Sequence, residues 1–363
     1  LTFDNNSSIL YKYFLISRII LTQEGKMSNF KEQGNEKSVK SEENATNKLR
    51  PLTFEHYIGQ DHIKEELQVA IKASKMKDEQ LNHMLFFGAP GLGKTTIAKI
   101  IANAKEANLH ITSAPIIEKP ADLASTLMSL EEGDILFIDE IHALKTKIEE
   151  SLYSVMEDFT LDINIDSGGG TKLIHLPIKK FTLIAATTRP GSISQPLRDR
   201  FNVIHQLKFY TNEELAQILS RSAEILEVEL EFEAAMEIAK RSRSTARIAN
   251  NLLGRLRPYA LVNNEAKIDK DFAIETLDKL LIDKLGLNDM DRKMLHCMHY
   301  GFKDRAVGLK AISPYISEEE KTIEYVIEPF LIKKGLLSKT KGGRKLTEKG
   351  IAYIKENIPE ENY

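Results

Sequence analysis

The sequence predicts an α/β fold: a parallel sheet with helices on both faces, followed by an all-helical segment and a winged helix. Three observations carry that prediction. From about residue 50 to 208, apolar strand-like runs alternate with helical stretches, in the order "HMLFFG", "TTIAKIIANAKE", "DILFIDE", "IEESLYSVMEDF" and "FTLIAATTR". Such alternation implies a parallel sheet covered on both sides. Helical spacing alone takes over from about 209 to 283. The last segment, about 284 to 357, sets "LLSKT", a "KGG" turn and "RKLTEKG" after further helical stretches, a short basic hairpin.

Composition bounds the reading. With 42% hydrophobic and 28% charged residues, the 363-residue chain is of ordinary soluble type, with room for two or three domains. A formal net charge of −3 gives no global pull towards nucleic acid, so a DNA-binding surface has to be local. Cys297 is alone, which rules out an intrachain disulfide and fits a reducing cytoplasm. The nine histidines lack zinc-ligand spacing, and no protein-only metal site is expected. The apolar run near the amino terminus is broken by Lys12 and Arg18 and is too short to span a membrane. Met27 is the expected true start, with the residues before it upstream sequence wrongly translated. Residues 1–49 are expected to be a disordered lead-in.

The first strand runs into "GAPGLGKT", Gly88 to Thr95, which fits G-x-x-x-x-G-K-[ST] between an apolar strand and a helix. Gly88, Gly91, Leu92, Gly93, Lys94, Thr95 and Thr96 form the expected phosphate-binding run. Its glycines let backbone N–H groups wrap the phosphates, Lys94 adds a point charge and Thr95 offers an oxygen to Mg²⁺. The strand "DILFIDEIH" ends in Asp139, placed to hold Mg²⁺ through its water shell, and Glu140, placed to orient and deprotonate a water. A strand ending in two solvated acids is the bland alternative. His142 reads as a structural polar contact. In "LIAATTRPG", Thr188, with Thr187 beside it, can touch the γ-phosphate or the attacking water. "PLRDRF" then offers Arg198, a surface charge, and Arg200, rigid enough before its aromatic neighbour to serve as an arginine finger for an adjacent subunit. An ordinary salt-bridged arginine is the alternative.

The helical segment opens with a capping box from Thr211 to Glu214, with Leu215, Ile218, Leu219 and Leu226 at helical spacing. In the winged helix, the recognition helix is expected to start at Ser317, with Glu320 completing a capping box and Ile323, Val326, Ile327 and Leu331 facing inward. Between Lys333 and Lys349, seven basic residues face one acid, Glu348. By itself such a run is a solvated face. On a wing, Lys339, Lys341, Arg344 and Lys345 become candidate phosphate contacts.

Four nucleotide-site motifs in this order, followed by a helical lid, resemble an AAA+ ATPase. The strings "LRPLTFEHYIGQ", "GLGKTTIAKIIAN", "EKPADLASTLMSLEEGDILFIDEIH", "LYSVMEDF", "FTLIAATTR", "PLRDRF" and "RIANNLL" are similar to the RuvB family, over roughly Arg50 to Ile354. That resemblance implies an ATP- and Mg²⁺-dependent motor that drives branch migration of Holliday junctions in homologous recombination and DNA repair. It implies an AAA+ core at 50–208, a small lid at 209–283 and a winged helix at 284–357. A cytoplasmic homo-hexameric ring is expected around duplex DNA and four-way junctions, with RuvA and RuvC as partners and no membrane. Lys94, Asp139, Glu140, Thr188 (sensor 1), Arg200 (finger) and Arg247 (sensor 2) become catalytic, while Arg50, Tyr57 and Ile58 surround the adenine. The Gly-rich hairpin at about 161–181 becomes the RuvA-docking element, with Ile163, Ile165 and Leu173 as contacts; an ordinary sheet-edge hairpin is the other outcome. Two departures from the family are Ala89 in the P-loop and Ala246 before the sensor 2 arginine, where proline is usual. Pro258 is expected to kink its helix.

Two other classes stay open. A protein-remodelling unfoldase would need an aromatic pore loop, and none stands between the P-loop and Asp139. A clamp loader or initiator switch would turn over slowly without moving DNA.

Overall fold

The computed structural model describes residues 48–167, 170–263 and 265–360, with no side chain described between 163 and 173. The expected lead-in and Met27 therefore lie outside the described residues, apart from Lys48 and Leu49. Leu49 is already buried, and its carbonyl accepts a hydrogen bond from Arg221.

Five strands form one parallel sheet in the order β2-β3-β6-β1-β7: β1 Met84–Phe87, β2 Leu109–Ser113, β3 Ile135–Asp139, β6 Thr182–Thr187 and β7 Val203–Gln206. Covered on both faces, the central strands have no reason to alternate with polar residues. Ile135 to Ile138 are at most 1% exposed. Their side chains still alternate in direction. Ile135 and Phe137 join a core with α1 (Asp61–Lys77) and α2 (Lys94–Lys105), while Leu136 and Ile138 join one with α3 (Pro120–Met128) and α4 (Thr146–Asp158). Parallel pairing brings the ends of β1, β3 and β6 to one edge, where ligands of open α/β sheets bind.

Strands β4 (Thr160–Ser167) and β5 (Gly170–Pro177) pair only with each other, as an antiparallel hairpin. The side chains of Ile163, Ile165 and Leu173 lie outside the described residues.

The expected capping box at Thr211 and Glu214 forms in both directions and opens α6, Asn212–Ile225. Helix α7, Ala246–Val262, contains Pro258 and runs through it unbroken. A proline ring crowds the carbonyl four residues before it. Here that residue is Gly254, where a Cβ would meet open space.

The winged helix has its own core, from Leu287 to Ile358, and its wing is β8 (Leu337–Thr340) with β9 (Gly343–Leu346). The recognition segment departs from expectation. Ser317 instead ends the preceding helix, in the left-handed region at φ 57°, and the segment starts at Glu320 with Glu319 as its cap. It then passes through a π turn, Ile323–Ile327, before Glu328–Lys333. The wider π turn rotates the positions that follow it. Ile323, Ile327 and Leu331 stay inward, while Val326 is turned out, 59% exposed.

Arg243 attaches this domain to the lid. Its guanidinium is ion-paired with the buried Asp291, donates to the Gly286 carbonyl at 3.3 Å and lies over Phe330, 4.4 Å from the ring centre. Two cation–π contacts reach further back: Arg189 over Tyr325 at 3.7 Å and Lys333 over Phe209 at 3.2 Å.

Candidate nucleotide site

The P-loop leaves β1 at Gly88 and enters α2 at Lys94. It needs positive φ at Gly88 (149°), Gly91 (84°) and Gly93 (97°). At Gly91 a second constraint acts: a Cβ there would sit 2.9 Å from the Cβ of Arg247. The lid is that close, and the Arg247 backbone N–H also points at the Gly91 carbonyl, at 3.4 Å. Lys94 is buried, and its ammonium donates to the carbonyls of Gly88 (2.9 Å) and Ala89 (3.1 Å).

Leu92 and Thr96 are buried and hold the loop to the core, while Thr95 is only partly covered at the first turn of α2. Tyr57 is buried with its hydroxyl 3.0 Å from where a Cβ on Gly93 would lie. Ile58 is half-buried beside it in sequence.

Three cations meet at this edge. Burial, then the charge of Arg247, holds the Arg50 guanidinium below its usual range, against the pull of Asp139. Burial likewise lowers Lys94, with Glu140 and Asp139 opposing and Arg247 adding to the shift. Cations that repel one another across a glycine-lined loop suit a polyphosphate, which would satisfy all three.

The acid pair is locked from β6. The Glu140 backbone is left-handed (φ 49°), and its N–H donates to Asp139 Oδ1 at 2.9 Å. One oxygen of its carboxylate, Oε2, accepts from the Thr188 N–H (3.1 Å) and hydroxyl (2.9 Å). Thr188 is thereby brought to Glu140.

Arg200 lies elsewhere. It follows α5 (Gln195–Asp199), stacks over Tyr153 at 4.4 Å, donates to the Pro196 carbonyl at 2.7 Å and pairs with Glu157 at 3.2 Å. Phe201 behind it is buried. Among the described residues no hydrogen bond or ion pair joins Arg200 to Lys94, Asp139, Glu140 or Thr188.

The wing corrects part of the expectation. Arg344 is mostly buried and committed to Glu328 (2.7 Å) and Glu324 (3.7 Å), and Lys339 pairs with the same two acids at 3.1 and 3.6 Å. A guanidinium already neutralised inside the fold has little charge to offer a phosphate. Lys341 and Lys345 are exposed, and so is Lys339 despite its ion pairs; Arg344 is the one drawn into the fold.

Two residues of the pocket were not singled out from sequence. Tyr210, buried, donates to the Leu92 carbonyl at 3.0 Å across 118 positions of chain. Gln60 clamps the backbone of Lys208 from both sides of its amide (2.7 and 3.0 Å). Neither belongs to a local motif, so no spacing pointed to them.

A helical segment that comes back to the P-loop through Arg247 is what separates the AAA+ class from other P-loop folds, and this chain is an ATPase of that class. Comparison narrows the class. The family description "Holliday junction DNA helicase RuvB P-loop domain" matches residues 49–207, "RuvB AAA lid domain" matches 210–283 and "RuvB C-terminal winged helix domain" matches 284–355. A Holliday junction branch migration complex subunit RuvB of Campylobacter fetus is 55% identical over 301 residues, 83% of this chain and 87% of that one. The Leuconostoc mesenteroides protein of the same description is 50% identical over 306 residues, covering 84% and 87%. The solved structure of the Thermotoga maritima RuvB Holliday junction branch migration motor superposes with a TM-score of 0.76 at 43% identity, over 86% of this chain and all of that one. The chain belongs to the RuvB family.

Proposed function

We propose that this chain is the ATP-driven DNA motor of Holliday junction branch migration, working in homologous recombination and DNA repair as a cytoplasmic ring of six around duplex DNA, with RuvA and RuvC as partners. One observation carries the reading: a P-loop with its acid pair and a winged helix lie in one chain whose family matches run from 49 to 355. Among the described residues no helix is long and apolar enough to cross a membrane.

The chain divides at 50–208, 209–283 and 284–357. Gly88, Gly91, Leu92, Gly93, Lys94, Thr95 and Thr96 hold the phosphates, with Arg50, Tyr57 and Ile58 around the base. Mg²⁺ would rest on Thr95 and Asp139, with phosphate and water completing its shell, and would neutralise developing charge. Glu140 takes the proton of the attacking water, Thr188 holds Glu140 and Arg247 reports the γ-phosphate to the lid. Arg200 completes the pocket of the neighbouring subunit, which fits its rigid mounting away from its own acid pair.

Lid motion reaches DNA through Arg243 and Asp291, because a buried ion pair cannot slip without exposing an unpaired charge. Lys341 and Lys345 touch phosphate. The hairpin β4–β5, with Ile163, Ile165 and Leu173, receives RuvA. A synthetic four-way junction, ATP and the RuvA partner test the whole: junction arms should separate. ATP consumed while the junction stays still would refute the motor.

A further inference from the structure

His142 is the side chain at the acid pair to which the reading above gives no task. It sits on the turn after β3, is 12% exposed, and is held in two directions by one nitrogen. Its Nδ1 lies 2.9 Å from the hydroxyl of Thr187 and 3.2 Å from Oε2 of Glu140. The Thr187 hydroxyl in turn accepts the Arg189 backbone N–H at 2.9 Å. Thr187 is fully buried at the end of β6, a strand with no freedom to move without breaking the sheet.

Two donors hold the same carboxylate oxygen, the N–H and hydroxyl of Thr188, and Nδ1 of His142 stands 3.2 Å from it, close enough to share a ring proton between Oε2 and the Thr187 hydroxyl. The other oxygen, Oε1, receives none of them. For a general base that division matters. A carboxylate pinned by one oxygen presents the other in a fixed direction, and proton transfer requires hydrogen-bond reach to the water before it requires any particular basicity. Thr188 alone can hold Oε2 but leaves rotation about the Thr188 contacts open. A second contact, from the turn after β3 and itself tied to the Thr187 hydroxyl, restricts that freedom. Burial also keeps the imidazole neutral, so it adds a donor beside Glu140 without adding a full charge.

We propose that His142 is a positioning residue: through Nδ1 it ties Glu140 to Thr187 at the rigid end of β6 and so aims Oε1 at the water that attacks the γ-phosphate. The inference rests on Glu140 being the base.

The test uses the full-length protein assembled on DNA. Three substitutions separate position from bulk. His142→Asn keeps a polar atom near the place of Nδ1, His142→Gln carries it out to the place of Nε2, and His142→Ala removes it. The expected result is a fall in kcat of about tenfold for the Ala and Gln variants, the loss of one hydrogen bond to a charged group. KM and the affinity for a non-hydrolysable ATP analogue should stay unchanged, with much of the rate restored in the Asn variant. Wild-type kcat in the Ala variant would overturn the proposal. So would equal rates for Asn and Gln, or a loss of analogue affinity or melting temperature in step with the loss of rate. Glu140→Gln run alongside tells the two readings apart. If it hydrolyses ATP normally, the base assignment has failed; if it is dead while His142→Ala is fully active, only the role of His142 has.

Discussion

The nucleotide pocket and the wing are both rich in cations, and they use them in opposite ways. In the pocket, Arg50, Lys94 and Arg247 crowd together, and burial and then the charge of Arg247 weaken the hold of Arg50 and Lys94 on their protons. On the wing, Arg344 and Lys339 share Glu324 and Glu328, so part of the basic run is already paired within the domain, Arg344 in its interior and Lys339 at its surface. The lesson is that a count of charges marks a site only where those charges lack partners in their own fold. A phosphate entering the pocket relieves repulsion. One approaching Arg344 would have to displace a buried carboxylate, an exchange with no clear gain.

The largest effect expected from breaking that contrast lies at Arg200, a cation that has both partners and a proposed task. Arg200→Ala should bind ATP normally and lose roughly 10³-fold in hydrolysis by the assembled ring, read as steady-state turnover on DNA. Full turnover would return Arg200 to being the salt-bridged arginine that its contact with Glu157 also allows.

Next comes the buried pair that joins lid to winged helix. Asp291→Ala should destabilise the protein by about 3 kcal/mol at neutral pH, because Arg243 and the Asn288 N–H both lose their acceptor, seen as a lower melting temperature and poorer DNA-stimulated turnover. A pH dependence accompanies it. Burial pushes the Asp291 carboxyl up to about 6 from the usual 3.8, with Arg243 resisting. A raised folded value means the contribution is complete below the unfolded value and is lost as the pH rises through 6. The wild type should therefore gain on the Ala variant as the pH falls from 7 to 5, in paired melting curves.

A smaller effect sharpens the wing. Replacing Lys341 and Lys345 together with alanine should weaken binding to duplexes of every sequence and reduce the salt slope by roughly 0.9 per lost phosphate contact. Arg344→Ala should instead lower the winged helix's stability and leave the slope nearly unchanged. The reverse pattern in a salt titration would mean that Glu324 and Glu328 release Arg344 to DNA. The smallest is Tyr325→Ala, which removes one exposed cation–π contact with Arg189, worth about 0.5–1 kcal/mol. It should slightly loosen protection of the winged helix in hydrogen exchange and spare ATP binding.

Much of the pocket was legible because its chemistry is local. A strand, three glycines, a lysine and a threonine within eight residues leave little choice of geometry, and the capping box at Thr211 is equally short-range. What failed was set at longer range. Ser317 and Glu320 have capping-box spacing, yet the preceding helix runs on to Ile316 and takes Ser317 as its left-handed end. Val326 has inward spacing for an α-helix, but a π turn changes the period. Arg344 and Lys339 are matched by acids lying at least eleven positions earlier, and nothing in a basic run announces that pairing. Tyr210 and His142 likewise act on backbone and side chains brought near only by folding.

Mixing two dead proteins tests most directly whether the guanidinium at 200 works on the ATP of another copy. Lys94→Ala subunits keep the finger and lose the pocket; Arg200→Ala subunits keep the pocket and lose the finger. Each alone should be inactive on DNA, and an equimolar mixture should regain hydrolysis. A mixture as silent as its parts, or an Arg200→Ala protein active by itself, would contradict the shared-site account.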